Sequence, residues 1–238
     1  MKRGFSDTWG TMFFEIERIV NAKHPKAFLL GNVKQLKGHD KGRTLGVITE
    51  HLGRAGYTVD YAVLRAADFG VPQNRERIYI VGFDKRRFGL SDGFLFEFPV
   101  PPKTKTRLGD ILESSVDPKY TISDKLYEGH LRRKREHLEK GNGFGFSLFD
   151  ADSPYTSTIS ARYYKDGSEI LVAQGKSKNP RKLTSRECAR LQGFPENFII
   201  PVSDTQAYKQ FGNSVAIPVV RAVAKRIVGT LKTLENLK

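Results

Sequence analysis

RKLTSRECARLQGFP (Arg181–Pro195) is followed after a short polar interval by QFGNSVAIP (Gln210–Pro218). Within the first stretch, Thr184 and Glu187 stand at capping-box spacing, so hydroxyl and carboxylate reciprocally satisfy backbone donors at a helix start. Gly193 then ends a short helix. The second stretch reads as a glycine-containing turn, and an amphipathic helix follows from Pro218 to about Leu231. A helix, a turn and a second helix thus close the chain.

Working outward, residues 11–24 carry Phe13, Phe14, Ile16, Ile19 and Val20 at helical spacing, with Pro25 just beyond. The apolar run Ala27–Leu30 reads as a buried strand, and residues 43–55 as a helix closed by Gly56. Tyr57–Leu64 and Arg77–Phe83 read as two further strands. Such helix–strand alternation predicts an α/β fold with a largely parallel sheet. The pattern breaks after Lys85, where prolines and glycines crowd and few periodic segments persist. It returns at Leu183. The expected organisation is therefore an α/β domain made of residues 1–84 and 183–238. A smaller, mostly β or irregular domain, residues 85–182, is inserted between its halves.

The 238 residues can bury a substantial core. Forty lysines and arginines against 26 acidic residues give a net charge of +14, which favours a polyanionic partner through counterion release. A ribosome-associated or merely basic protein fits the charge as well. No apolar run reaches the roughly 20 residues that a membrane span needs. The single cysteine, Cys188, excludes an internal disulfide framework and makes an intracellular location the default.

Three segments hold candidate chemistry. Gln73, Arg75 and Arg77 alternate at the start of a strand, so period two puts three hydrogen-bond donors on one face. A solvated strand entrance paired with Glu76 is the plainer reading. Ser157–Gly167 mixes hydroxyls, tyrosines and cations: Thr158, Ile159, Arg162, Tyr163 and Lys165 suit contacts with phosphates and base edges. The same segment reads as a β-hairpin turning at Asp166-Gly167, and the two readings are compatible. Arg132 and Arg133, in the basic stretch 131–136, are candidate contacts to DNA phosphates. Asn142–Phe146 is glycine-rich but lacks a preceding strand, so a phosphate-binding loop is rejected.

The two C-terminal stretches, with Gln73-x-Arg75-x-Arg77 upstream and in order, closely resemble motifs of the bacterial DNA cytosine-5 methyltransferases. The resemblance covers nearly the whole chain. Residues 141–170 are similar to the target-recognition region of the Dcm type, which modifies CCWGG, with Thr158-Ile159 where Thr-Leu is usual. It implies a Rossmann-like S-adenosylmethionine-dependent fold, double-stranded DNA as partner, no metal, and a bacterial cytoplasmic, nucleoid-associated location. Residue by residue, it implies that Arg77, with Arg75, Gln73 and Asn32, serves the flipped cytosine. Asn213, Ser214 and Val215 would line the cofactor pocket.

The family attacks cytosine C6 with the thiolate of a Pro-Cys dipeptide, which activates C5 toward the methyl sulfonium. A glutamate in Glu-Asn-Val stabilises the charge at N3. Here Leu30-Gly31-Asn32-Val33 stands in that place, and Trp9 stands where Arg is usual. Gly4–Glu15 matches the segment after Pro-Cys, so the chain is expected to begin beyond the nucleophile and to be inactive alone. Three readings follow: part of a split, truncated or decayed methylase; a recognition subunit of a two-chain methylase, partnered by an N-terminal subunit with the Pro-Cys and cofactor motifs; or another basic nucleic-acid-binding protein with chance matches.

Overall fold

The structure, a computed structural model, describes residues 8–143 and 145–237. The expected α/β class is borne out. In order, the elements are α1 (Thr8–Lys23), β1 (Ala27–Val33), α2 (Arg43–Arg54), β2 (Tyr57–Arg65), β3 (Glu76–Asp84) and the single-turn α3 (Lys85–Phe88). Then come α4 (Asp124–Glu139), β4 (Leu148–Phe149), β5 (Leu171–Val172), α5 (Ser185–Leu191), α6 (Asp204–Asn213) and α7 (Ile217–Asn236). Trp9 and the start of the 4–15 segment lie outside the described side chains.

The chain forms two compact units. One comprises residues 1–64, 76–100 and 221–238; the other comprises 65–75 and 101–220. Residues 183–220 therefore pack with 101–182, although the returning helical pattern had grouped them with the first sheet. Shared apolar burial decides this grouping: Leu183, Cys188, Leu191, Tyr208 and Phe211 join Leu108, Ile159, Tyr163 and Ile170 in one core.

In the first unit, α2 presents Leu45, Ile48 and Leu52 along one face. They meet Phe13 of α1 and Ile78 and Ile80 of β3. The sheet order is β1-β3-β2, and β1 runs antiparallel to β3. The largely parallel sheet expected from alternation is thus corrected. Residues 66–75 hold one short 3-10 turn, Ala66–Phe69, and no crossover helix. A parallel return needs a crossover of a dozen or more residues, usually helical.

In the second unit, β4 and β5 pair in parallel over two residues each, and most of the backbone is irregular. The hairpin expected over 157–167 does not form. Residues 161–166 are successive turns, stabilised by Gly167 N–H donating to the Tyr163 carbonyl. Order here comes from a buried charge. Glu187, fully buried, accepts from Arg181 Nη1 and Nη2 at 2.7 and 2.8 Å, from Thr184 N at 2.8 Å and from Glu113 N at 2.9 Å. Four donors fill the four lone-pair positions of the carboxylate. The capping box read from the sequence is present.

Phe211–Val215 was read as a loop, but Gly212 and Asn213 form the last turn of α6. Gly212 is required there: a Cβ would lie 2.2 Å from the Ser160 carbonyl carbon.

Two stability predictions follow from this packing. Glu187→Ala leaves the Arg181 guanidinium buried without its partner and is expected to cost about 3–5 kcal/mol. A urea titration followed by far-UV circular dichroism checks it; a change below about 1 kcal/mol would contradict the assignment. Gly212→Ala forces backbone apart at Ser160 and is expected to cost about 1–3 kcal/mol, and an unchanged midpoint in the same titration would refute the close approach.

Candidate functional site

In the first unit, the antiparallel register sets Gly31 opposite Tyr79, Asn32 opposite Ile78 and Val33 opposite Arg77. Directly paired residues share a sheet face, so Gly31, Val33, Arg77 and Tyr79 lie together and Asn32 lies on the other face. Gly31 is therefore the diagonal neighbour of Arg77. A Cβ there would find nothing closer than Tyr79 Cε1 at 3.9 Å, so packing does not demand glycine. Arg77 is half-buried and donates to the Glu76 carbonyl at 2.8 Å. Burial lowers its pKa from the ordinary arginine value. Arginine titrates so high that the group stays cationic near neutrality. Asn32 is exposed, and its Oδ1 accepts from Val33 N at 2.8 Å. Lys34 closes the strand ends with an ion pair to Glu76.

Gln73 and Arg75 do something different. Both precede β3, and both are buried, at 0% and 5% exposure. Gln73 Nε2 donates to the Leu191 carbonyl and to Gln192 Oε1, while its Oε1 accepts from Ile159 N. Arg75 donates to three carbonyls: Ile159 at 3.1 Å, Gly212 at 3.2 Å and Ser214 at 2.7 Å. These bonds reach backbone at Ile159, Leu191, Gly212 and Ser214 and the Gln192 side chain. The expectation that they share an open face with Arg77 for a ligand is corrected: they brace the second unit.

Asn213 and Val215 are exposed, and they flank Ser214, whose hydroxyl donates to the Phe211 carbonyl at 2.8 Å. Arg75 thus fixes the backbone on which the exposed pair is carried. Ser214 contributes position more than its hydroxyl.

The 157–167 segment separates into inward and outward residues. Ile159 and Tyr163 are fully buried, and Tyr163 Oη donates to the Ile170 carbonyl and accepts from Leu183 N. Neither side chain can meet a macromolecule, which corrects their assignment as contact residues. An aromatic among hydroxyls and cations reads as surface; here its ring belongs to the core. Thr158 is partly exposed and donates to the Asn74 carbonyl at 2.7 Å. Arg162 and Lys165 point outward and are exposed.

On α4, Arg132 is exposed and sits 3.8 Å from Glu136, an arrangement worth little in solvent. Arg133 instead reaches Asp166 Oδ2 at 3.3 Å and His130 Nδ1 at 2.8 Å. Sequence reasoning missed His130 and Asp166. The i,i+3 spacing of His130 and Arg133 on one helix face was the available signal.

Cys188 is fully buried within α5, and burial pushes its thiol well above the ordinary range. It offers no accessible thiolate. Among the described residues, no cluster of three or more metal-ligating side chains occurs, and no helix is long and apolar enough to cross a membrane.

The family model "C-5 cytosine-specific DNA methylase" matches residues 1–229. The Type II methyltransferase M.SsoII of Shigella sonnei is 63% identical over 231 residues, which cover 97% of this chain and 60% of that protein. The DNA-cytosine methyltransferase of Escherichia coli (strain K12) is 40% identical over 268 aligned positions, covering 99% of this chain and 56% of that protein. The chain thus spans roughly three fifths of these relatives' lengths. Among solved structures, the Entamoeba histolytica methyltransferase EhMeth superposes with a TM-score of 0.72 at 20% identity, covering 94% of this chain and 70% of that one. At that identity the likeness is one of fold. The chain belongs to the C-5 cytosine-specific DNA methylase family.

Proposed function

We propose that these residues form the target-recognition and cytosine-binding part of a DNA cytosine-5 methyltransferase acting on double-stranded DNA. The observation that carries the reading is the register of β1 and β3, which sets Gly31, in the acid's position, diagonal to Arg77 on one sheet face. Arg77 is held cationic at the strand end, where its guanidinium can donate to a carbonyl oxygen of an extruded pyrimidine. Arg162 and Lys165 form the outward face of the recognition turn, supported by Thr158 and, on α4, Arg132.

S-adenosylmethionine supplies an electrophilic methyl group when bound, and Asn213, Ser214 and Val215 are the residues of this chain that would help to hold it. Asn213 contributes its exposed amide, and Val215 an apolar surface. Gln73 and Arg75 act through other residues: they fix the backbone of the recognition segment and of the cofactor segment.

The thiol is the gap. Attack at cytosine C6 needs a thiolate, and the one thiol here, Cys188, is buried and protonated. Gly31 cannot stabilise charge at N3. We therefore assign the chain no turnover by itself and expect a second segment or subunit, carrying the Pro-Cys and cofactor motifs, to complete the enzyme. Gly31 and the inaccessible Cys188 also support a second reading, a non-catalytic DNA-recognition subunit of a two-chain methylase.

Incubating the purified chain with DNA and S-adenosylmethionine labelled in its methyl group tests this. No incorporation is expected from the chain alone, and Gly31→Glu does not restore it. With a polypeptide bearing the missing motifs, incorporation appears, and Gly31→Glu then raises it by about a hundredfold or more. Incorporation by the chain alone, free of host methylase, would overturn the proposal. A complemented mixture that binds specific DNA but stays inactive would favour the recognition-subunit reading. Separately, Arg162→Ala should lower preference for a CCWGG duplex over a scrambled one by about 1–3 kcal/mol. A loss of thermal stability with unchanged relative affinities would show that Arg162 only braces its turn.

A further inference from the structure

The turn that carries Arg162 and Lys165 is rooted at its middle by the buried Tyr163, while Arg162 and Lys165 themselves face outward. It is not a hairpin, and its own bonds are short-range, such as Lys165 N to the Arg162 carbonyl and Arg162 N to Ser160 Oγ. At its far end Ser168 N donates to Asp166 Oδ1 at 3.1 Å, and α4 adds a second hold. His130 is 1% exposed, and its Nε2 lies 3.2 Å from the Asp166 carbonyl oxygen. Its Nδ1 lies 2.8 Å from Arg133 Nη2, and the same Nη2 lies 3.3 Å from Asp166 Oδ2. One protonation state satisfies all three contacts: Nε2 bears the proton and donates to the carbonyl, and Nδ1 accepts from the guanidinium. Burial lowers the His130 pKa, in keeping with a neutral ring.

The helix behind this clasp is itself anchored. The Phe146 ring lies 5.5 Å from His130 and 5.8 Å from Tyr127, and Phe146 joins Ile122 and Leu171 in a small core. Asp166 is held ionised: burial alone would raise its pKa, but bonds from Ser168 and the nearby Arg133 cation bring it below the usual carboxylate value. Asp166 is therefore gripped from α4 as well as from within the turn.

We infer that Arg133, with His130, is a positioning residue for sequence discrimination: it clamps Asp166 to α4 and so sets the orientation of Arg162 and Lys165 toward DNA. This rests on the reading of the turn as a DNA-contacting element. It also revises Arg133 itself. A cation in an exposed basic run reads as a phosphate contact, whose loss weakens all sequences alike. As a clamp, its loss degrades the choice between sequences instead.

Arg133→Lys separates the two roles, because it keeps the charge and removes the guanidinium Nη2 that meets both Nδ1 and Oδ2. Two measurements on the full chain are needed. The first is hydrogen exchange of the 162–168 amides in the free protein. The second is the ratio of Kd values for a CCWGG duplex and a scrambled duplex, measured for wild type, Arg133→Lys, Arg162→Ala and the double variant. The expected result is exchange about tenfold faster in Arg133→Lys and a Kd ratio reduced about as far as in Arg162→Ala. The double variant should be no worse than Arg162→Ala alone. Asp166→Asn, which also breaks the clamp, should behave like Arg133→Lys.

Unchanged exchange and an unchanged Kd ratio in Arg133→Lys would overturn the clamp. So would faster exchange with an unchanged ratio, provided that Arg162→Ala does change it; Arg133 would then be a brace without bearing on recognition. If Arg162→Ala leaves the ratio unchanged, the DNA-contacting reading of the turn fails, and the discrimination role of Arg133 fails with it.

Discussion

The second unit depends on one buried ion pair. Glu187 sits in the apolar core with its oxygens filled by Arg181, Thr184 and Glu113. An isolated carboxylate could not be kept there; its desolvation would cost several kcal/mol without those donors. The pair therefore sets a demanding condition: the 181–187 strand-to-helix junction and the Glu113 backbone must come together for either charge to be buried. Arg181 meets Val172 through backbone bonds in both directions, N to O at 2.8 and 2.9 Å, which ties β5 to the same point. A region with only two two-residue strands gains its order from this junction rather than from sheet.

A second set of polar groups carries that order outward. Gln73 and Arg75 bind carbonyls far along the chain, at Ile159, Leu191, Gly212 and Ser214. The backbone of Gly212 meets that of Ser160 directly. The segment bearing Arg162 and the segment bearing Asn213 and Val215 are in this way two faces of one bonded body. Conserving geometry at one of them constrains the other. In a protein proposed to handle both a duplex and a methyl donor, this is a physical reason for arginine at a position that touches neither.

The sequence made the elements legible and left their relations obscure. Strand and helix positions up to β3 followed from periodicity, while those of α4 and α6 did not, and the Thr184–Glu187 box was readable because capping is local. Direction was not: β3 is apolar on both faces, from Ile78 to Phe83, so its pattern says nothing of whether β1 runs with or against it. Gln73 and Arg75 read as ligand-facing because polar residues beside a strand usually face solvent. Their partners lie 84 to 139 residues away, beyond any local pattern. Tyr163 deceived in the opposite sense, its hydroxyl being satisfied inside the core. Arg77, by contrast, is half-buried, and Arg162 and Lys165 are exposed.

As proposed, the chain recognises a cytosine-containing duplex, and Cys188 lies too deep to attack the base. Duplex DNA with 5-fluorocytosine at the target position tests it directly, because attack at C6 followed by methyl transfer leaves an adduct that cannot eliminate. With S-adenosylmethionine present, the account predicts a complex visible in a native gel that dissociates fully in denaturant. A denaturant-stable complex whose peptide map places the DNA on Cys188 would contradict it.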